Sequence, residues 1–300
     1  MEGKYQKISR VLWFILGANL LVATVKVCLG IILQINSLMA DGFHAITDSS
    51  SNIIGIIGIK LASKPADKEH PYGHKKFETV TGLFIGFMLL FITGQIIFQA
   101  IKWFANPQQP SVNLSGFIAL IVTLLINIAV AVYEYKKGVE LDSDVLISDS
   151  FHTKSDILIS FGVIVTIVLI YFGMPAIIDP IVSLIIALFV LHSCVEIFKT
   201  TIGVLVDKSI IDADRIKDIV LRADHKIIDV HHIRSRGRND HIFIDLHLIL
   251  DNKTNVSIAH NLSHKIEDLL RVEFKKHVEL IIHIEPDNLN HNLHDQNILV

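Results

Sequence analysis

Two segments of this sequence carry the same arrangement of acids and imidazole: Asp41, His44 and Asp48 in ADGFHAITD, and Asp149, His152 and Asp156 in SDSFHTKSD. On an α-helix, positions i, i+3 and i+7 fall on one side, so each segment presents a stripe of one imidazole between two carboxylates. His44 with Asp48, and His152 with Asp156, are i, i+4 pairs. If the two stripes face each other, two nitrogens and two oxygens converge, a tetrahedral set suited to Zn²⁺. Mg²⁺ and Ca²⁺ ask for more oxygen ligands, whereas Cd²⁺, Co²⁺ and Fe²⁺ remain open, because geometry rather than raw affinity separates them. Asp41 and Asp149 are read as supporting residues beside the four ligands. The competing reading is a polar network that ties helices together, or a proton relay without metal.

Two further groups are candidates for metal. Asp67, His70 and His74 lie within the stretch PADKEHPYGHKK, an oxygen-plus-imidazole cluster that competes with a plain solvated loop. Eleven of the 16 histidines follow position 206. Among them, His231 and His232 fall on one expected strand, His247 on a second, and His260 in the first turn of a helix. His283 and Glu285 are two apart on a third strand and therefore share a face. His231, His247, His260, His283 and Glu285 could converge at one edge of a sheet and hold one or two ions, with the carboxylate bridging. His225, His241, His264 and His277 are read as surface histidines, and His291 and His294 as tail residues that bind metal loosely or not at all.

The elements that must carry these residues follow from hydropathy. With 51% hydrophobic residues, 19% charged residues and a mean hydropathy of +0.51, the chain is too apolar for an ordinary soluble domain. Residues 1–206 hold 28 of the 57 acidic and basic side chains and the last 94 residues hold 29. A bilayer core needs about 20 apolar residues as a helix, and six segments supply them, at about 11–34, 37–59, 79–101, 114–132, 145–172 and 177–197. Both acid–imidazole stripes therefore lie inside spans, where facing lipid costs kilocalories and facing each other does not. Lys26, also inside a span, is read as paired within the bundle. The first span is too long and lacks the cleavage site of a signal peptide.

Lys4, Lys7, Arg10, Lys60, Lys64, Lys68, Lys75, Lys76, Lys136 and Lys137 flank the spans on one side and Lys102 alone on the other, which places both termini in the cytoplasm. Residues 207–286 read as helix 212–223, strands 227–236 and 241–250, helix 256–274 and strand 279–284, an αββαβ order with the helices on one face of an open sheet. Residues 287–300 lack periodicity and are expected to be a disordered tail. The net charge of −3 argues against a nucleic-acid partner. Cys28 and Cys194 lie in apolar stretches without CxxC spacing, against a disulfide framework or thiolate zinc site. No HExxH motif occurs, so a zinc hydrolase is disfavoured and no enzyme is expected.

Taken together, ADGFHAITD, PADKEHPYGHKKFE, SDSFHTKSD and the later runs HHIRSR, DLHL, IAH and IIHIEP resemble the cation diffusion facilitator family of dimeric, proton-coupled divalent-metal exporters, over nearly all of residues 8–286. The resemblance implies a six-helix transmembrane domain over 1–206 and a cytoplasmic, ferredoxin- or metallochaperone-like regulatory domain over 207–286. It also implies a homodimer in the inner membrane and no prosthetic group. Zn²⁺ or a related divalent ion, exchanged for protons across the lipid bilayer, would be the cargo. Residue by residue, His44, Asp48, His152 and Asp156 resemble the transport site, and Asp67, His70 and His74 a loop site. His231, His247, His260, His283 and Glu285 resemble a cytoplasmic binuclear site. Glu285 departs from the aspartate common in relatives. Lys76 and Asp207 resemble a charge interlock beside the hinge. A membrane-anchored metal sensor without transport is the alternative.

Overall fold

The computed structural model describes residues 2–32, 45, 46, 49–105, 114–175, 177–238 and 241–287. Asp41, His44, Asp48, His291 and His294 lie outside the described residues. The chain divides into two compact units, Met1–Leu205 and Val206–Val300.

The first unit is helical: α1 (Glu2–Ile32), α2 (Ser50–Ala62), α3 (Lys76–Ala105), α4 (Leu114–Glu140), α5 (Asp144–Tyr171) and α6 (Ile178–Leu205). Four of the described helices, α1, α3, α5 and α6, are long and apolar enough to cross a membrane. Of the second expected span, only residues 45 and 46 and the part from residue 49 onward are described. The helices overrun the expected spans because the backbone hydrogen-bond ladder continues into the polar flanks, as at the Lys76 end of α3. Their outward sides stay apolar, with Trp13, Phe14, Phe91 and Leu188 at least 60% exposed, as lipid-facing positions require.

The inward sides pack in two clusters. Ile8, Leu12 and Ile15 of α1 meet Ile59 and Ala62 of α2, Ile85 of α3 and Val145 and Leu146 of α5. Leu89 of α3 meets Val190, Cys194 and Ile197 of α6. Both cysteines are free thiols, and Cys194 serves as a small buried apolar group. The polar stripe of α5, including Ser148, Asp149, His152, Thr153 and Ser155, is buried although the helix is otherwise apolar. Ser143 caps this helix by accepting from the Leu146 amide, and Asp144 in the first turn complements the dipole. After α5 the chain turns at Gly173, whose φ of 88° suits a residue without Cβ.

The second unit contains α7 (Ala213–Leu221), β1 (Ile227–Arg238), β2 (His241–Leu250), α8 (Val256–Phe274) and β3 (His277–Pro286). The order is αββαβ, and the sheet order is β1-β2-β3. β1 pairs antiparallel with β2, and β3 pairs parallel with β2, as the crossover through α8 requires. Alternation assigns the faces. Ile242, Ile244, Leu246, Leu248 and Leu250 point into one core with Ile216 and Val220 of α7 and Ala259, Leu262, Ile266 and Leu270 of α8. Both helices thus cover one face, and the odd-numbered residues of β2 lie on the open face. Asp212 and Asn255 cap α7 and α8, accepting from the Asp214 and Ile258 amides.

Candidate metal centres

The stripe on α5 is built as the spacing demands. His152 is 3% exposed, and neither ring nitrogen has a hydrogen-bond partner among the described residues. Buried polar atoms are nearly always satisfied, so an imidazole with two unsatisfied nitrogens, one turn from Asp156, is a place for a ligand. Asp149, 1% exposed, accepts from Asn52 Nδ2 of α2, and Asn52 Oδ1 accepts from Asn19 Nδ2 of α1 at 3.0 Å. Asp149 therefore joins three helices. His44 and Asp48, the expected partners of His152 and Asp156, and Asp41 lie outside the described residues.

One functional candidate was missed from sequence. Glu134 of α4 is fully buried and accepts from Thr153 Oγ1 of α5 at 2.8 Å, and its carboxyl also engages that of Asp149. Two buried carboxyl groups that interact in this way favour a positive charge, a proton or a metal ion, beside them. Glu134 follows the apolar run of its segment by two residues and reads as part of a polar flank. Only the packing of α4 on α5 reveals it.

The loop cluster is assembled. Asp67 Oδ1 accepts from the amides of Glu69 at 3.0 Å and His70 at 2.7 Å. The His70 amide, chief among these donors, holds the Asp67 carboxyl below its ordinary range. His70 Nδ1 and His74 Nε2 both stand 3.4 Å from that carboxylate, and the two rings lie 4.3 Å apart. His74 is 6% exposed, and its Nδ1 lies 3.0 Å from the Pro65 carbonyl. A carbonyl only accepts, so Nδ1 carries a proton and donates it to Pro65, which leaves Nε2 facing the Asp67 carboxylate. An outer hydrogen bond of this kind orients metal-ligating histidines.

On the open face of the sheet, register brings His231 opposite His247 and His247 opposite His283. Glu285 reaches all three imidazoles, with Oε1 2.7 Å from His247 Nδ1 and 3.6 Å from His283 Nε2, and Oε2 3.4 Å from His231 Nε2. His231, His247 and Glu285 each offer a ligand atom within 4.8 Å of the others. The glutamate arm therefore suffices to span the row. His260 is not brought to this group; it lies exposed on α8 against His264, with ring centroids 4.6 Å apart. His232 joins the group instead, its ring 5.0 Å from that of His247. Strict alternation would send His232 to the opposite face from His231. The register shift between His231 and Arg234, with His232 at φ 47°, inserts an extra residue and turns its ring back.

His241 is corrected from a surface residue to a buried one, 8% exposed, because it begins β2 against Phe243, with the rings stacked 4.6 Å apart. His277, His225 and His264 are exposed, as read. Asp207, at φ 54°, has the Arg236 guanidinium 3.8 Å away.

Comparison with known proteins adds the following. A family described as the cation efflux transmembrane domain matches residues 12–206, and one described as the cation efflux protein cytoplasmic domain matches residues 210–287. An uncharacterized transporter of Methanocaldococcus jannaschii is 30% identical over 93% of this chain and 99% of its own length. The manganese efflux system protein MneP of Bacillus subtilis is 26% identical over 95% of this chain and 99% of its own. The cadmium, cobalt and zinc/H⁺-K⁺ antiporter of the same organism is 28% identical over 99% of this chain and 94% of its own. A solved structure of the transporter CzrB is 26% identical and covers 25% of this chain and 92% of that one, at a TM-score of 0.24.

Proposed function

Because the chain belongs to the cation efflux family, and is therefore a multi-pass membrane transporter of divalent cations rather than an enzyme, we propose that it exports Zn²⁺ in exchange for protons. The observation that carries the reading is the buried His152, both of whose nitrogens lack a partner among the described residues, one turn from Asp156. His44 and Asp48 complete the proposed transport site. Two imidazoles and two carboxylates suit Zn²⁺, Cd²⁺ and Co²⁺ better than Mn²⁺, which favours oxygen ligands.

Metal enters from the cytoplasm and displaces protons from the imidazoles, because metal and proton compete for the same nitrogens. Rearrangement of the helices exposes the site outward. Protons then return to the ligands, release the metal and reset the carrier, while apolar walls keep bare charge from leaking across. Both termini face the cytoplasm of an inner membrane, a placement supported by the lysine and arginine asymmetry.

The proposed working unit is a homodimer of a chain with a membrane domain (1–206) and a regulatory domain (207–286), and Lys76 and Asp207 are the residues of the proposed charge interlock. Asp67, His70 and His74 form a loop site that collects metal. His231, His247, His283 and Glu285 form a regulatory site, with His232 beside it. Metal bound there biases the arrangement of the two cytoplasmic domains, as a ligand that prefers one state must.

Zinc uptake into proteoliposomes holding a zinc-sensitive dye, with and without a pH gradient, tests the transport site. Gradient-driven uptake that is lost in Asp156→Ala is expected. Normal zinc uptake by a folded Asp156→Ala protein refutes the site. Truncation before residue 207 tests regulation: unchanged transport at low zinc would refute it.

A further inference from the structure

The sheet contains the ligand arrangement of its metal cluster twice. Strand β3 reads HVELIIHIEP, so His277-Val-Glu279 and His283-Ile-Glu285 repeat the same spacing six residues apart. Strand β2 reads HIFIDLHLIL and places His241 and His247 six residues apart as well. Because the two strands are parallel and in continuous register, His241 pairs with His277 just as His247 pairs with His283. The carboxylate two residues along then reaches back across the strands in both cases. His241 Nε2 lies 2.9 Å from Glu279 Oε1, as His247 Nδ1 lies 2.7 Å from Glu285 Oε1. The His241 and His277 rings are 4.4 Å apart, against 4.7 Å for His247 and His283. Six residues of strand span about 20 Å, so the two groups cannot share an ion.

We propose that His241, His277 and Glu279 form a second divalent-cation site on the cytoplasmic sheet, selecting borderline ions such as Zn²⁺, Cd²⁺ and Co²⁺. One ligand atom from each residue lies within 4.8 Å of the other two. Two imidazoles and a carboxylate supply three of the four ligands of a tetrahedral site, and water supplies the fourth. The strand backbones hold these side chains in place, so little ordering is needed when the ion arrives. Phe243, stacked on His241, walls one side.

The copies differ at β1. His231 stands opposite His247, whereas the register partner of His241 is Arg238. The first cluster thus gains a third imidazole where the second gains a guanidinium, and Arg236 lies over Phe243 with its charge 5.0 Å from the ring. A second positive charge is costly beside guanidiniums, so this site fills after the first. The assignment rests on the sheet alone and does not depend on the direction, coupling or cargo of transport.

The test is histidine carbethoxylation of the full-length protein in detergent micelles, stripped of metal by chelator and titrated with zinc, with labelling read at each imidazole by mass spectrometry. Zinc is expected to protect His247 and His283 first and His241 and His277 at higher concentration. In Glu279→Gln and in His241→Ala the zinc protection of His277 should disappear while that of His283 remains. Equal labelling of His277 with and without zinc, up to millimolar metal, would overturn the proposal. So would zinc protection of His277 that persists in both variants, because shielding would then come from something other than ligation.

Discussion

Substituting Gly58 by alanine should push α2 away from α3. A Cβ built at Gly58 would stand 2.6 Å from the Cβ of Thr81 and 2.5 Å from its Cγ2, where carbon atoms in contact need about 3.5–4.0 Å. The deficit is about 1 Å. Thr81 cannot simply swing aside, because its hydroxyl donates to the Phe77 carbonyl at 2.7 Å and the residue is 8% exposed. A different rotamer leaves its Cβ where it is. The helices must therefore part, at an overpacking cost of about 1–3 kcal/mol. For a chain of this size that lowers the thermal midpoint by roughly 2–10 °C, measurable in detergent micelles. Transport should fall as well, since α2 begins two residues after Asp48 in the chain.

A double-mutant cycle separates the cause from general damage. Thr81→Gly removes every clashing atom and should restore most of the stability lost in Gly58→Ala. Thr81→Ala, which keeps the Cβ, should restore only part of it. A Gly58→Ala protein that melts with the wild type and carries zinc at the wild-type rate would refute the reasoning. Equal rescue by Thr81→Ala and Thr81→Gly would show that the Cβ contact is not the determinant.

Three further outcomes are expected. Glu134→Gln keeps an acceptor for Thr153 but removes the acid, and should lower proteoliposome zinc uptake about tenfold or more, the effect of roughly 1.4 kcal/mol, while leaving the size-exclusion profile unchanged. His74→Ala removes both the ring facing Asp67 and the hydrogen bond to Pro65, and should cost the loop its metal, read as lost zinc protection of His70 from carbethoxylation. The Lys265 ammonium 3.0 Å from Asp224, aided by the Lys226 amide, holds the Asp224 carboxyl below its ordinary value of 3.8. A depressed folded-state value contributes stability above the unfolded value that is lost as pH falls through the folded one. Lys265→Met should therefore melt below the wild type at neutral pH, and the difference should close below about pH 4.

Much of the architecture was legible because it depends on local periodicity. Long apolar runs read as spanning helices, since a bilayer demands some twenty apolar residues wherever they occur. Residues 227–284 read as ββαβ because alternation on β2 and the amphipathic repeat of α8 are contained in each segment. Observed bounds differ at the ends: β1 runs to Arg238 and β3 spans His277–Pro286, because pairing with β2 extends strands beyond their apolar centres.

The metal-bearing residues divide in the same way. The i, i+4 spacing of His152 and Asp156, the Asp67, His70 and His74 loop and the shared face of His283 and Glu285 are short-range facts, determined by chain geometry alone. What joins distant segments was decided only by tertiary structure. The register shift that returns the His232 ring to the side of His247 depends on how β1 meets β2. The packing of α4 on α5 puts the Glu134 carboxyl beside Thr153, and the assignment of both helices to one face leaves His260 away from the open one. The parallel register that makes partners of His241 and His277 is set by the crossover through α8. Alternation says which side of a strand a residue takes, but not which residue of another strand it will face. That choice is made by long-range pairing, which local sequence does not encode.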